Sequence, residues 1–440
     1  MPDSPTSETQ SEFICACHEW MRPVCAGEPF YKEHEEKRYC VLHCPEKDKG
    51  ADFARAVEKK LLNQDFDFRG VWFPGESSFD SLEFTKAADF QFATFLAKAS
   101  FDRARFTAAA DFRDAAFMGE ANFFKTDFQG YVYFTRTVFH GDAVFTNADF
   151  GSRAFFNHAT FEQLAYFTSV VFKERAYFMQ TTFCAKVYFH YTSFASYVIF
   201  SGGKKAVFRD QTSIEFQFAR FERPDCVSFH TLELRPHWFA NLDTRKLTFV
   251  NVDWPSKRNC LALELTELQK IKVLSPYRLL AIIYAQLAVN AEDNQRYEEA
   301  SNFRYLAMDV RRIQSFHGLA FWKLSWWYWV ASGYGERVAR AFVVLLAILA
   351  LAAAIYMRVG FSQPELRSDE TAAQTPKPAN VDAPLKLGRA LTYSASVMTL
   401  QRPEPKPATT TAQTFVLLET ILGPVQGALL ALAIRRKFMR

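Results

Sequence analysis

Residues 79–123 read FDSLEFTKAADFQFATFLAKASFDRARFTAAADFRDAAFMGEANF. Nine of its phenylalanines, at 79, 84, 90, 95, 101, 106, 112, 117 and 123, follow in steps that alternate five and six. The same register runs from Phe68 to Phe200 without a miss. That is an eleven-residue period with two Phe per repeat. On an α-helix an average step of about 5.5 residues turns roughly 550°, so successive rings would point to opposite sides. On a strand, alternating odd and even steps would flip the face. A chain that turns a corner between successive Phe can place all of them inside. The residue two before each Phe is small: Ala88, Ala93, Ala99, Ala104, Ala110, Ala115 and Ala121, then Thr126, Val132, Thr137 and Ala143. A second inward position with no room for another ring accounts for that choice. The residues between are polar and of both signs, as a solvated wall requires. The whole chain of 440 residues carries 46 Phe beside 17 Tyr and 8 Trp, a ratio that points to a repeat architecture before an ordinary core.

The pattern A-x-F-x-x-(x) resembles the pentapeptide-repeat family, in the variant with an extra residue in every second repeat. The resemblance implies a right-handed quadrilateral β-helix with four sides per coil. At about 22 residues per coil, residues 62–200 make roughly six coils stacked about 4.8 Å apart. The register stumbles at residues 201–205 (SGGKK) and resumes loosely through Phe216, Phe221, Val227, Leu232 and Trp238 to about Trp254. Some members of the family mimic DNA, which needs an acidic rod. Between Phe79 and Phe200 there are twelve Asp and Glu against eleven Lys and Arg. A wall this close to neutral argues against mimicry, and the net charge of +4 over the chain gives no case for nucleic acid as a partner.

Five of the eight cysteines lie in residues 13–50, FICACHEWMRPVCAGEPFYKEHEEKRYCVLHCPEKDKG. The first ten residues have no basic region followed by an apolar one, so a reducing cytosol is expected, and there such a cluster reads as metal ligands before disulfides. Cys40-x-x-His43 is a ligand pair at the spacing of zinc modules, and Cys25 with Cys15 (Cys17 as alternative) completes a tetrahedral Zn²⁺ site. Cys44, His18 and His34 are further donors in reach. YCVLHCPEKDKG resembles the start of some pentapeptide-repeat proteins, which implies a small zinc knuckle capping the solenoid. A cap is physically needed, since an open end would expose strand edges.

Past Trp254-Pro255 the periodicity becomes helical, in residues 259–272, 276–291 and 296–312. This resembles a single tetratricopeptide-like hairpin. Residues 341–357 are then seventeen apolar residues in a row, and residues 415–434 form a second stretch of spanning length. Arg337 and Arg340 precede the first, and Arg435, Arg436, Lys437 and Arg440 follow the second. The positive flanks place both termini in the cytosol of a bacterial plasma (inner) membrane, as a multi-pass protein. Trp322, Trp326, Trp327, Tyr328 and Trp329 make an aromatic belt at interfacial depth. The organisation expected is a cap over residues 1–50, a β-helix over 51–255, a hairpin connector over 256–318 and a membrane module over 319–440, with spans at about 338–358 and 415–434.

Between the spans, residues 362–384 are rich in Pro, Ala and Thr, as disordered loops are. Residues 385–400 (LKLGRALTYSASVMTL) are apolar but too short to span, which suits a re-entrant or interfacial helix. ALTYSASVMTL and FVLLETILGPVQGALLALAIRR resemble the pore helix and inner helix of bacterial potassium-channel relatives, which implies a tetramer. The filter motif T-V-G-Y-G is absent: its position reads LQRPE, residues 400–404, and Pro403 and Arg402 cannot turn successive carbonyls inward. Gly333-Tyr334-Gly335 lies before the first span and reads as a hinge. Pore candidates are Thr399, Leu400, Gln401, Arg402, Glu419 and Gly423. A carboxylate within a span costs about 2.5–3.5 kcal/mol unless it faces water or a partner. Glu419 reads either as a ring at the pore mouth or, preferred, as a hydrogen bond to Thr392, Ser394 or Ser396.

The leading expectation is an oligomeric, weakly selective pore or one gated through the rod. Its rival is an anchored scaffold whose rod binds a cytosolic protein. No nucleophile elbow, phosphate loop or paired carboxylate appears, so no catalytic residue is assigned and an enzyme is not expected. His140, His158 and His190 read as wall residues.

Overall fold

A computed structural model describes residues 13–25, 27–202, 213–255, 260–270, 272–314, 323–362 and 385–438. The end of the break at 203–205, Trp322 and the Pro-rich loop from 363 to 384 lie outside these residues. The chain divides into two units, one up to Ile283 and one from Tyr284.

In the first unit, strands of mostly two residues recur through residues 72–250 and pair parallel, up to the break each with the strand 22 residues ahead: Ala110 with Val132, Ala116 with Val138, Ala121 with Ala143, Asp127 with Asp149. Four parallel sheets of eight, six, seven and seven strands result, a β-solenoid of about eight turns. One turn needs four strands because every corner lies between successive Phe. The rings of the five-and-six register from Phe68 to Phe200 are almost wholly buried, as are the alanines two places before them. Rings one turn apart stack, as Phe101 on Phe123 (4.9 Å, 5°) and Phe95 on Phe117 (4.7 Å, 1°). Rings eleven residues apart, two strands on, meet edge to face, as Phe101 and Phe112 (5.5 Å, 87°). Burial is worth about 1.5–3 kcal/mol per ring and the pairing geometry adds about 0.5–1.5.

The alternation of five and six has a backbone cause. Ser81, Phe92, Arg103, Asp114, Lys125, Arg136, Asn147, His158, Ser169, Gln180 and Tyr191, spaced by eleven, all have φ between +54° and +60°. Each occupies the third place of a turn such as Phe101-Asp102-Arg103-Ala104, closed by the Ala104 N–H on the Phe101 carbonyl (3.0 Å). This is the pattern of a type II turn. Exposed ion pairs such as Arg136–Asp114 (2.6 Å) and Lys98–Glu120 (2.9 Å) link neighbouring coils and contribute little. His140 and His190 face Glu162 and Glu215 on the wall, each at 2.9 Å.

The register survives the break. The pairing step lengthens from 22 to 27 residues between Val187 and Ile214, and Phe216 stacks on Phe189 at 5.2 Å. Further on, the ring positions are taken by Phe229, Phe239 and Phe249, while Val227 fills the small inward place opposite Val198. Trp254 and helix α2 lie at this end: α1 is Gly50–Leu62 and α2 is Cys260–Lys270. The buried Glu264 of α2 accepts from the His237 backbone N–H (2.9 Å) and pairs with its ring (2.6 Å). At the other end Phe53 of α1 meets Phe73 edge-on at 5.6 Å, so the first coil has its own cover.

Helix α3 spans Pro276–Asp293 and α4 Tyr297–Gln314. The second unit continues with α5 (Leu324–Ser332), α6 (Val338–Tyr356), α7 (Leu387–Met398) and α8 (Thr410–Phe438). α6 and α8 are long and apolar enough to cross a membrane, and most of their surface is exposed. α7 is a separate twelve-residue helix packed against both.

Candidate functional site

The cysteine-rich segment builds its site on a short hairpin, Phe30–His34 with Lys37–Cys40, and on the turn that follows. Cys40 ends the second strand and its N–H points at Cys15 Sγ (3.4 Å). The turn brings His43 back over it, with Nδ1 3.3 Å from Cys40 Sγ and 3.9 Å from Cys15 Sγ. Cys15 Sγ is 3.8 Å from Cys40 Sγ, and Cys17 Sγ is 3.9 Å from Cys25 Sγ. Ligand atoms of Cys15, Cys17, Cys25 and His43 all lie within 4.8 Å of one another. Tetrahedral Zn²⁺ with bonds of about 2.3 Å to sulfur sets its ligands roughly 3.5–3.8 Å apart, so the spacing fits. The donor chemistry fits as well. His43 Nε2 donates to the Arg69 carbonyl (2.9 Å), so Nδ1 is the nitrogen that faces the sulfurs and would bind a metal.

The thiols share protons unevenly. Hydrogen bonds from Cys17, Cys25 and Cys40 hold Cys15 far below the ordinary thiol range, against the effect of burial. Cys17, donating to Cys15, is pushed up to about 12, and Cys25 and Cys40 are raised for the same reason. Burial opposes charge on His43, yet its hydrogen bonds to Cys15 and Cys40 outweigh it and raise the ring to about 9. A soft cation would displace the Nδ1 proton of this ring and the remaining thiol protons as it binds. All five sequence candidates thus converge on one place. Cys44 is buried nearby but stands outside the mutual set among the described residues.

The cluster is fastened to the first coil. Trp72 N–H donates to the Leu42 carbonyl (2.9 Å), and buried Lys49 donates to the Leu42 and Trp72 carbonyls at 3.1 and 2.6 Å. Arg69 reaches the Trp20 carbonyl at 3.0 Å. Burial lowers the Lys49 ammonium to about 7.

In the second unit Glu419 is buried, and both its oxygens are used. Tyr356 at the end of α6 donates to one, and Ser394 in the middle of α7 donates to the other. Ser394 is the hydroxyl used, while Thr392 bonds back to its own helix. Tyr356 also packs with Phe361 and Tyr393, at 5.6 and 5.2 Å. Sequence reasoning missed Tyr356, although it is the one phenol in an otherwise aliphatic run. Gly423 allows close approach: a Cβ there would lie 2.8–2.9 Å from Met398. Thr399 caps α7 and bonds back to Ala395 and Ser396. Leu400, with φ +61°, Gln401 and Arg402 are exposed.

The Gly333-Tyr334-Gly335 segment is held on several sides, with all three residues left-handed (φ +56°, +62° and +73°). Tyr334 is buried, its hydroxyl near Arg312 (3.1 Å) and Asp309 (3.3 Å) and its carbonyl accepting from Arg436 (3.1 Å). Glu336 follows, buried between Arg304 (3.0 Å) and Arg436 (3.2 Å). Glu336 was also missed, since its partners lie 32 and 100 residues away.

Residues 123–171 match a family model described as pentapeptide repeats (9 copies). No curated protein and no solved structure matches the chain. With the register of the sheets on either side of that match, the chain carries pentapeptide repeats, folded as a β-solenoid.

Proposed function

We propose that this chain is a membrane-anchored pentapeptide scaffold, with a zinc-fastened cap on the solenoid and α6, α7 and α8 as an anchoring and assembly module. The observation that carries the anchor reading is the use of Glu419. Its oxygens are taken by Tyr356 and Ser394 of the same chain, which ties three helices together and turns this carboxylate away from an ion path. The exposed segment after α7 has no glycine and carries Pro403 and Pro405, so it offers no carbonyl filter. Zn²⁺ on Cys15, Cys25, His43 and either Cys17 or Cys40 is part of the reading, supported by the donor set and the His43–Arg69 bond. So are a right-handed, four-sided solenoid, a tetrameric module, and cytosolic termini at a bacterial inner membrane. The solenoid wall is then the surface offered to a protein partner.

One observation favours a pore instead: a short helix seated between two span-length helices is the order of a two-span channel. Single-channel recording of the purified protein in a planar bilayer, with KCl and NaCl on opposite sides, separates the two. Silence after verified insertion, shared by Glu419→Gln, supports the anchor. Discrete openings sink it, and a changed conductance in Glu419→Gln would put that carboxylate beside the permeation path.

A further inference from the structure

The turn from α2 to α3 borders an open cavity of about 470 Å³, lined from the solenoid by Gln217, Phe218 and Asn241. The volume is that of a small-ligand site. The turn is a fixed one. Lys272 is left-handed (φ +56°), and its N–H donates to the Gln269 carbonyl (2.9 Å) while the Val273 N–H donates to the Leu268 carbonyl (3.5 Å). This double closure is that of a Schellman helix end. Leu268 before the turn and Leu280 after it have no exposure, so both flanks are held down.

The lining is lopsided in charge. Lys272 and Arg278 are exposed cations, and no carboxylate lines the cavity. Among the described residues neither cation is taken up by an ion pair or a side-chain hydrogen bond, whereas the neighbouring Lys270 is held by Glu267 at 2.7 Å. The start of α3 adds to this field. Ser275 precedes the helix, Pro276 opens it, and Tyr277 and Arg278 lie in the first turn, whose N–H groups have no acceptor inside a helix. That end of the helix dipole favours an anion. Gln217 brings an amide nitrogen that is buried without an acceptor.

The rest of the lining is apolar and open. Leu274 is wholly exposed, and Phe218 and Ile282 are 50% and 41% exposed. One face of Phe218 rests on Tyr191 (5.1 Å, 10°). Bulky apolar side chains gathered at one opening and rimmed by polar groups mark a binding surface. Inorganic phosphate answers the cations and leaves these side chains in water. A neutral apolar guest covers them and leaves the cations unanswered. One negative head on an apolar body meets both.

We propose that this cavity binds a medium-chain carboxylate. Lys272, Arg278 and the first turn of α3 hold the head, and Phe218, Leu274 and Ile282 cover the chain. Occupancy ties the start of α3 to the solenoid wall. The site lies wholly within the first unit, so it does not depend on whether α6 and α8 cross a membrane.

The test dialyses the full chain, in a neutral detergent, against radiolabelled octanoate, with the detergent alone as blank. One saturable site per chain is expected. Hexanoate, with two CH₂ groups fewer to bury, binds up to about fifteenfold more weakly. Octanol and inorganic phosphate compete poorly, since each lacks one half of the guest. The double variant Lys272→Gln with Arg278→Gln weakens octanoate about tenfold, by the loss of two exposed charge contacts. Both side chains are in water, so its melting transition stays that of the parent. Lys86→Gln, at an exposed cation elsewhere on the solenoid, changes nothing. Phe218→Ser narrows the gap between hexanoate and octanoate, while the double variant keeps that gap, a division of effects that misfolding would not produce. Octanol competing as well as octanoate overturns the anionic head, and phosphate competing as well overturns the apolar body. A double variant within about twofold of the parent, or an undiminished gap in Phe218→Ser, overturns the site.

Discussion

Cys15 sits where two ligand sets overlap, since its sulfur neighbours Cys40 and His43 and also belongs to the group with Cys17 and Cys25. Cys15→Ser should therefore reduce bound zinc from about one per chain to none, by elemental analysis of the purified protein, whichever fourth thiol is used. Cys44→Ser should leave zinc unchanged. Retention of zinc in Cys15→Ser would remove the site as drawn. The residue types were legible in the chain, because soft donors crowd one segment. The choice among five donors was not, since it turns on how the hairpin folds back 25 residues to bring Cys40 onto Cys15. Glu419 is the second case. Glu419→Ala leaves two buried hydroxyls without their acceptor and should cost about 1–2 kcal/mol in detergent unfolding. Glu419→Gln, which still accepts one bond, should cost less than half of that. Equal stability of both variants with the parent would mean the carboxylate does not hold the helices.

Turns and ring stacks carry the solenoid, and each has its own test. Phe123 lies in mid-solenoid, stacked on Phe101 and Phe145 at 4.9 Å each. Phe123→Ala should cost about 3–5 kcal/mol by chemical denaturation, the price of a buried ring plus its cavity. Thr137 occupies a small inward place with no exposure and donates to the Phe112 carbonyl 25 residues back, at 2.7 Å. Thr126 does the same to Phe101 at 2.8 Å. Thr137→Val keeps the shape and loses the bond, so a cost of about 1 kcal/mol is expected, and no change would show that the hydroxyl is idle. The eleven-residue period announced the inward positions because burial acts on every ring alike. It did not announce the left-handed residue of each turn, because positions 81, 92, 103 and 114 hold Ser, Phe, Arg and Asp and no glycine marks them. The backbone there is imposed by the neighbouring coils and costs about 1 kcal/mol or so per residue.

For the chain as a whole, the anchored reading predicts that it stays with the membrane pellet after alkaline carbonate and is released by detergent, measured on fractionated cells. Release by carbonate would mean that α6 and α8 do not span. Composition and period alone determined the repeat, its inward face and the two apolar helices, because each rests on burial summed over many equivalent positions and is readable without knowing any partner. What only the tertiary structure decided are the meetings of residues far apart in the chain: His43 with Arg69, Glu264 with His237, Tyr356 and Ser394 with Glu419, and Arg304 and Arg436 with Glu336. Each is a single polar contact that no periodicity repeats, and its partner is chosen by which helices or coils come to lie side by side.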